Sequence, residues 1–218
     1  MPFDPNQPRG PDGKWIKTGG VFAAAALATA VAAASGGDAV TSVGAGLDAA
    51  TTKSVSDTDM ANSKKAARKG NRTEAWRRLA LKEARKKVEK DLRCAVQSYG
   101  QVQQFFLRHP CKKLDQLLFV VQDSSGNTIA GSVSWVTMPS AESAAQLRTL
   151  EDTYGSGDVT PFGTEILEAN GFRFTGKHYR SRLDGKLVVI AETDPITGHP
   201  SDAFLKQVAD VADVLPPP

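Results

Sequence analysis

Few residues in this 218-residue chain have both the type and the spacing to do chemistry, and the two cysteines come first. Cys94 and Cys111 bracket the run CAVQSYGQVQQFFLRHPC. With His109 they would supply three metal ligands, but there is no C-x-x-C pair and no fourth ligand, so no metal is expected. The apolar positions Val96, Tyr99, Val102, Phe105 and Phe106, with Leu107, follow a helical period that stops before Pro110. A straight 17-residue helix would hold its ends about 25 Å apart, beyond disulfide reach. A bridge therefore needs the chain to break or turn back, which Gly100 or His109-Pro110 would allow. The pair is read as a disulfide; the alternative is two buried, inert thiols.

The other chemistry-bearing residues are sparse. His109, His178 and His199 sit in no H-E-x-x-H pattern and beside no nucleophile elbow. There is no P-loop, and no G-x-G-x-x-G follows a strand. Gly155-Ser156-Gly157 follows a helical stretch and reads as a loop, and Glu151-Asp152 reads as a solvated helix end. No catalytic residue and no cofactor are nominated, and the chain is expected not to be an enzyme.

One run interleaves aromatic and basic side chains. FRFTGKHYRSR, residues 172–182, makes Arg173, Lys177, His178, Arg180 and Arg182 a candidate anion-binding set. The plainer reading is a strand with an aromatic core face and a solvated charged face.

Charge adds a second candidate. The net charge of +3 conceals a segment, residues 64–93, with 13 basic and 4 acidic residues, while the flanking regions are mildly acidic. Within it, Trp76, Ala80, Ala84, Val88 and Leu92 recur every four residues, with Asn71 or Thr73 as a cap. That pattern predicts a long basic amphipathic helix. Arg77, Arg78, Lys82, Arg85, Lys86 and Lys87 would line its far face, either in solvent or against an anionic surface such as lipid, cell-wall polymer or nucleic acid. No zipper or zinc-finger spacing accompanies it, so specific DNA recognition is not expected.

The elements that must position these residues divide the chain into five parts. Residues 1–20, rich in proline and glycine, read as a flexible polar tail. Residues 18–37 carry no charge and centre on VFAAAALATAVAAA. Twenty residues span roughly 30 Å as a helix, one bilayer core, which makes this a candidate signal-anchor. A cleaved signal peptide and a soluble Ala-rich segment are the alternatives. Arg9, Lys14 and Lys17 flank it on one side and Asp38 and Asp48 on the other, placing the N-terminus inside and the C-terminal domain outside. The basic block from Lys64 pulls the other way, but from a greater distance. Residues 38–63 read as a flexible linker and 64–93 as the basic helix.

Residues 94–218 read as the folded domain. Leu114–Gln122 and Thr128–Met138 make a hairpin around a DSSGN turn, and Ser140 caps a helix with Ala144, Leu147 and Leu150 inward. After the 155–163 loop, residues 165–169 suggest a short helix. Phe172–Leu183 and Lys186–Thr193 form a second hairpin around Asp184-Gly185, and Ser201 or Asp202 caps a last helix. The order is helix, then strand-strand-helix twice. This predicts an α+β fold with one antiparallel sheet and helices on one face, preceded by the long basic helix. In composition, 40% hydrophobic and 23% charged residues exclude a polytopic membrane protein, a collagen-like chain and a wholly disordered one.

The phrases CAVQSYGQVQQFFLRHPC, SVSWVTMPS, FRFTGKHYRSR and LVVIAETDPITG resemble an uncharacterised family of small actinobacterial proteins that pair an Ala-rich hydrophobic segment with this C-terminal domain. That resemblance covers about residues 73–215 and implies no activity. PRGPDGKWIKTGG is similar to tail phrases in proteins of phages and mobile elements. Together these readings give an expected function: a non-catalytic protein held in the membrane through residues 18–37. Its extracytoplasmic domain would bind an unknown protein or an anionic envelope partner. The alternative is a cytoplasmic, mobile-element-associated protein that binds nucleic acid through residues 64–93.

Overall fold

The computed structural model describes residues 55–163 and 171–218. The polar tail, the Ala-rich 18–37 segment, most of the 38–63 linker and the short helix expected at 165–169 lie outside the described residues. Among the described residues no helix is long and apolar enough to cross a membrane.

The elements run α1 (Asp57–Arg68), α2 (Arg72–Arg78), β1 (Leu81–Glu89), α3 (Gly100–Arg108), β2 (Lys113–Asp123), β3 (Thr128–Thr137), α4 (Ala141–Glu151), β4 (Tyr179–Asp184), β5 (Leu187–Thr197) and α5 (Asp202–Ala212). The five strands form one antiparallel sheet in the order β1-β2-β3-β5-β4. The fold is α+β with a single antiparallel sheet, as expected.

Local chemistry sets most helix starts. The Ser56 side chain accepts from the Asp59 N–H, and Asn71 accepts from the Glu74 N–H. Ser201 accepts from the Phe204 N–H. Ser140 and Ser143 close a reciprocal capping box at α4. Each cap gives a partner to an amide that the first turn would otherwise leave unpaired. The Ser56 cap starts α1 at Asp57, so the last seven residues of the expected linker are helical. Ser63 is buried there, its hydroxyl donating to the Ala75 carbonyl at 2.8 Å.

The expected long basic helix is corrected. Residues 64–93 form the end of α1, a Gly70-Asn71 corner, α2, and then the edge strand β1. Ala80 takes a left-handed conformation, φ 54°, and turns the chain between α2 and β1. The period of four misled because four is also twice the strand period: residues four apart share a face in either conformation. Two of the five seam residues are alanine, and little lies at the three-residue spacing that separates the two. Pairing with β2 from Leu81↔Asp123 to Glu89↔Gln116 decides for strand, with a bulge between Glu83 and Arg85.

The helices, expected on one face of the sheet, divide between two. The odd-numbered face of β2 and β3 presents Leu117, Phe119, Val121, Ile129, Val133 and Trp135. Val189 and Ala191 of β5 extend it beneath α1, α2 and α5, where Trp76, Leu205, Val208 and Val211 pack. The Trp76 and Phe119 rings stack at 5.0 Å between centroids. Gly131 keeps room for that stack: a Cβ there would run into the Phe119 ring. The even-numbered face presents Leu114, Val136, Val188 and Ile190 to α3 and α4, with Val102, Phe105, Phe106, Ala144 and Leu147. Along β3, Val133 and Trp135 alternate with Ser132 and Ser134. Both serines are buried, and the Ser134 hydroxyl accepts from Gln116 Nε2 at 2.8 Å. Small hydroxyls paired within the sheet read as solvent-facing in sequence.

Candidate functional site

The aromatic–basic run is less a strand than a loop leading into one, because β4 begins only at Tyr179. Arg173 is exposed and stands apart. The other four candidates lie along α5 and meet its carboxylates. Lys177 Nζ is 3.9 Å from Asp202, and Arg180 pairs with Asp210. Arg182 reaches Asp184 at 3.3 Å, Asp213 at 3.7 Å and the Asp213 carbonyl at 3.2 Å. His178 is buried, with Nδ1 3.0 Å from both Asp194 and the Thr193 carbonyl, and Nε2 3.2 Å from Asp202. Burial pulls the imidazole pKa down, but the two carboxylates outweigh it and the net shift is upward. These residues join β4, β5 and the start of α5. Acidic residues of α5 and its flanks face most of the set's positive charge.

The second candidate set also separates. Arg77 and Arg78 both grip Glu74, at 2.7 and 2.6 Å. The two guanidiniums hold the Glu74 carboxyl down at about 2. Lys82, Arg85, Lys86 and Lys87 are exposed on β1, one of the two edge strands of the sheet. Lys86 lies 3.9 Å from Glu83, and Lys87 lies 3.2 Å from Glu89 and over the Phe162 ring. Lysine on an edge strand also discourages edge-to-edge pairing with another sheet.

Cys94 and Cys111 are bonded, their Cα atoms 6.2 Å apart. The single helix that seemed to forbid this is broken. Residues 94–97 form a turn, Ser98 bridges to Val159, and α3 starts only at Gly100, whose φ of +65° reverses the chain. Gln103 Nε2 donates to the Ala95 and Ser98 carbonyls, both at 2.9 Å, which ties the turn to the helix. The start of α3 also crosses the 155–160 loop. The Gln101 and Val102 amides donate to the Ser156 carbonyl at 2.5 and 3.1 Å. Side chains at Gly100 or Gly157 would collide with that crossing backbone.

A buried acidic cluster on the same side was missed. Glu151, read as a solvated helix end with Asp152, is buried on the inner face of α4. A signal was available: Glu151 lies four and seven residues after Leu147 and Ala144, on their stripe. Burial, then the neighbouring Asp158 carboxyl, pushes Glu151 well above the usual carboxylate range. Burial raises Asp158 too. Both Glu151 oxygens and Asp158 Oδ1 are buried without a good hydrogen bond, so the pair is comfortable only when it holds a proton. Glu192, on the same face of β5, accepts from the Gly176 N–H. Burial and the Asp158 charge push it to about 8. Tyr99 has more than half of its surface exposed, but its hydroxyl is desolvated and lies near these acids, which raises it to about 12; Tyr179 is raised by burial first and these acids second. No sequence pattern points to Asp158 or Glu192, because their approach depends on how α4, β5 and the 155–160 loop meet. Among the described residues, no group of three or more His, Cys, Asp or Glu side chains is arranged to hold a metal ion.

Fold and site define a class in structural terms: a small α+β domain whose sheet is covered on both faces, with a cystine-closed loop and a buried acidic cluster on one side. No protein-family model, curated protein or solved structure matches the chain.

Proposed function

We propose that this is a non-catalytic binding domain, tethered to a membrane through residues 18–37 and working outside the cytoplasm. The observation that carries this reading is the Cys94–Cys111 cystine. Such bonds persist in oxidising compartments and are rare among cytoplasmic structural elements. Closing a loop of this size contributes roughly 3 kcal/mol, which reduction in a cytoplasm would remove. The uncharged 18–37 stretch and the basic residues before it are consistent with a single span and an outward C-terminal domain. The exposed basic edge β1 suits an anionic envelope partner. The alternative of a basic nucleic-acid arm finds less support, because residues 64–89 are elements packed into the domain.

Thiol accessibility in intact cells tests this. A membrane-impermeant maleimide is added with and without an impermeant reductant, and the mass of the full-length protein is read. Labelling only after reduction is expected. Labelling only after lysis, without reduction, would place free thiols in the cytoplasm and overturn the reading.

A further inference from the structure

Among the described residues four large hydrophobic side chains are well exposed: Val96 (66%), Leu107 (62%), Tyr99 (56%) and Ile196 (36%). The first three lie inside the cystine-closed loop, 94–111. They also share a side of it. Tyr99, Gln103 and Leu107 are four residues apart, on one face of α3 and its N-cap. The two hydrogen bonds from Gln103 lay the turn carrying Val96 along that same face. Three exposed cations lie close to them along the chain. Arg108 follows Leu107, and the cystine brings Arg93 and Lys112 to adjacent chain segments beside the loop. Asp91 is the only acidic residue between positions 90 and 112.

We infer that this loop rests on a bilayer of anionic lipid, with Val96, Tyr99 and Leu107 entering the interface and Arg93, Arg108 and Lys112 meeting the headgroups. Exposed apolar side chains with cations beside them in the chain match that surface: the hydrocarbon boundary takes the apolar side chains and anionic headgroups take the charge. Tyrosine suits the boundary because its ring is apolar and its hydroxyl is polar. The cystine and the Gln103 bonds hold the apolar side chains in place before contact, so little ordering is needed on binding. The inference rests on the proposed tethering, which would keep this loop near a membrane.

The test uses the full-length protein with Leu107→Trp and Trp15→Phe; the two remaining tryptophans, Trp76 and Trp135, are buried and give a constant background. Vesicles are phosphatidylcholine alone or mixed equally with phosphatidylglycerol, each with brominated acyl chains. Flotation reports tethering, and quenching reports the loop. The expected result is strong quenching with phosphatidylglycerol, reduced at least fivefold by charge reversal at Arg93, Arg108 and Lys112. Flotation with no quenching on either vesicle would overturn the loop inference and leave the tether standing. No flotation and no quenching would overturn both. Concentration-dependent burial of the reporter without vesicles would overturn it in favour of self-association. Hydrogen exchange of the unsubstituted protein guards against an effect of the added tryptophan. Amides of residues 96–108 are expected to slow on phosphatidylglycerol vesicles, and unchanged exchange would contradict the inference.

Discussion

The two faces of the sheet are built from the same strands but on different terms. The odd-numbered face is dry and apolar, with Trp76 stacked on Phe119 and α1, α2 and α5 closing over it. Its polar groups are satisfied at the margin; Trp135 Nε1, for example, donates to the Leu215 carbonyl at 3.0 Å. The even-numbered face is smaller and mixed. It combines aliphatic packing under α3 and α4 with Gln116, Ser134, Glu151 and Glu192, and with the cystine. Alternation along a strand is what lets one stretch of chain do both, because neighbours never share a face. The dry face fixes the fold. The mixed face carries groups whose state depends on pH and redox conditions, and it borders the loop assigned to membrane contact.

Substitutions can break this contrast, and the largest effect belongs to the dry face. Trp76→Ala is expected to cost about 3–5 kcal/mol in urea unfolding, since the cavity opens beneath a stacked aromatic and both elements beside it. Reducing the cystine, or replacing both cysteines by serine, is expected to cost roughly 3 kcal/mol. Hydrogen exchange should show that loss first in α3, while α5 keeps its protection. Equal loosening of α5 would mean that the two faces are not separable. The smallest effect should not discriminate at all. Ser140→Ala at α4 and Ser201→Ala at α5 remove equivalent caps on opposite faces, and each should cost about 1 kcal/mol.

Parts of both faces were legible in sequence. Strands β2, β3 and β5, the hairpin turns, the caps Ser140 and Ser201, and the inward set Leu205, Val208 and Val211 follow from periodicity and turn chemistry alone. β1 did not, because an apolar seam at a spacing of four fits helix and strand equally. The second helical layer was hidden because Ser132 and Ser134 mimic a wet face. The cystine was legible as a pair but not as a geometry, until Gly100 was seen to break the helix. The acidic cluster was hardly legible, since Asp158 and Glu192 meet only through tertiary packing. For the basic candidates, the positions were legible but not the acids of α5 that face them.

The central claim is that burial on the mixed face raises the pKa of its acids, and stability against pH tests it most directly. A carboxyl whose pKa is raised on folding binds its proton more tightly in the folded state. Stability therefore falls as pH rises from the unfolded value, near 4.5, through the folded value, about 8 for Glu192. His178 works in the same direction: its raised pKa adds stability below about 6.5 that is lost as pH rises through the folded value. Urea unfolding at pH 5 and pH 8.5 should show the unsubstituted protein losing roughly 2–4 kcal/mol over that range. Glu192→Gln, which keeps an acceptor for the Gly176 amide, should lose much less and be the more stable of the two at pH 8.5. A stability that is level or rising with pH, or a Glu192→Gln profile parallel to that of the unsubstituted protein, would contradict the claim.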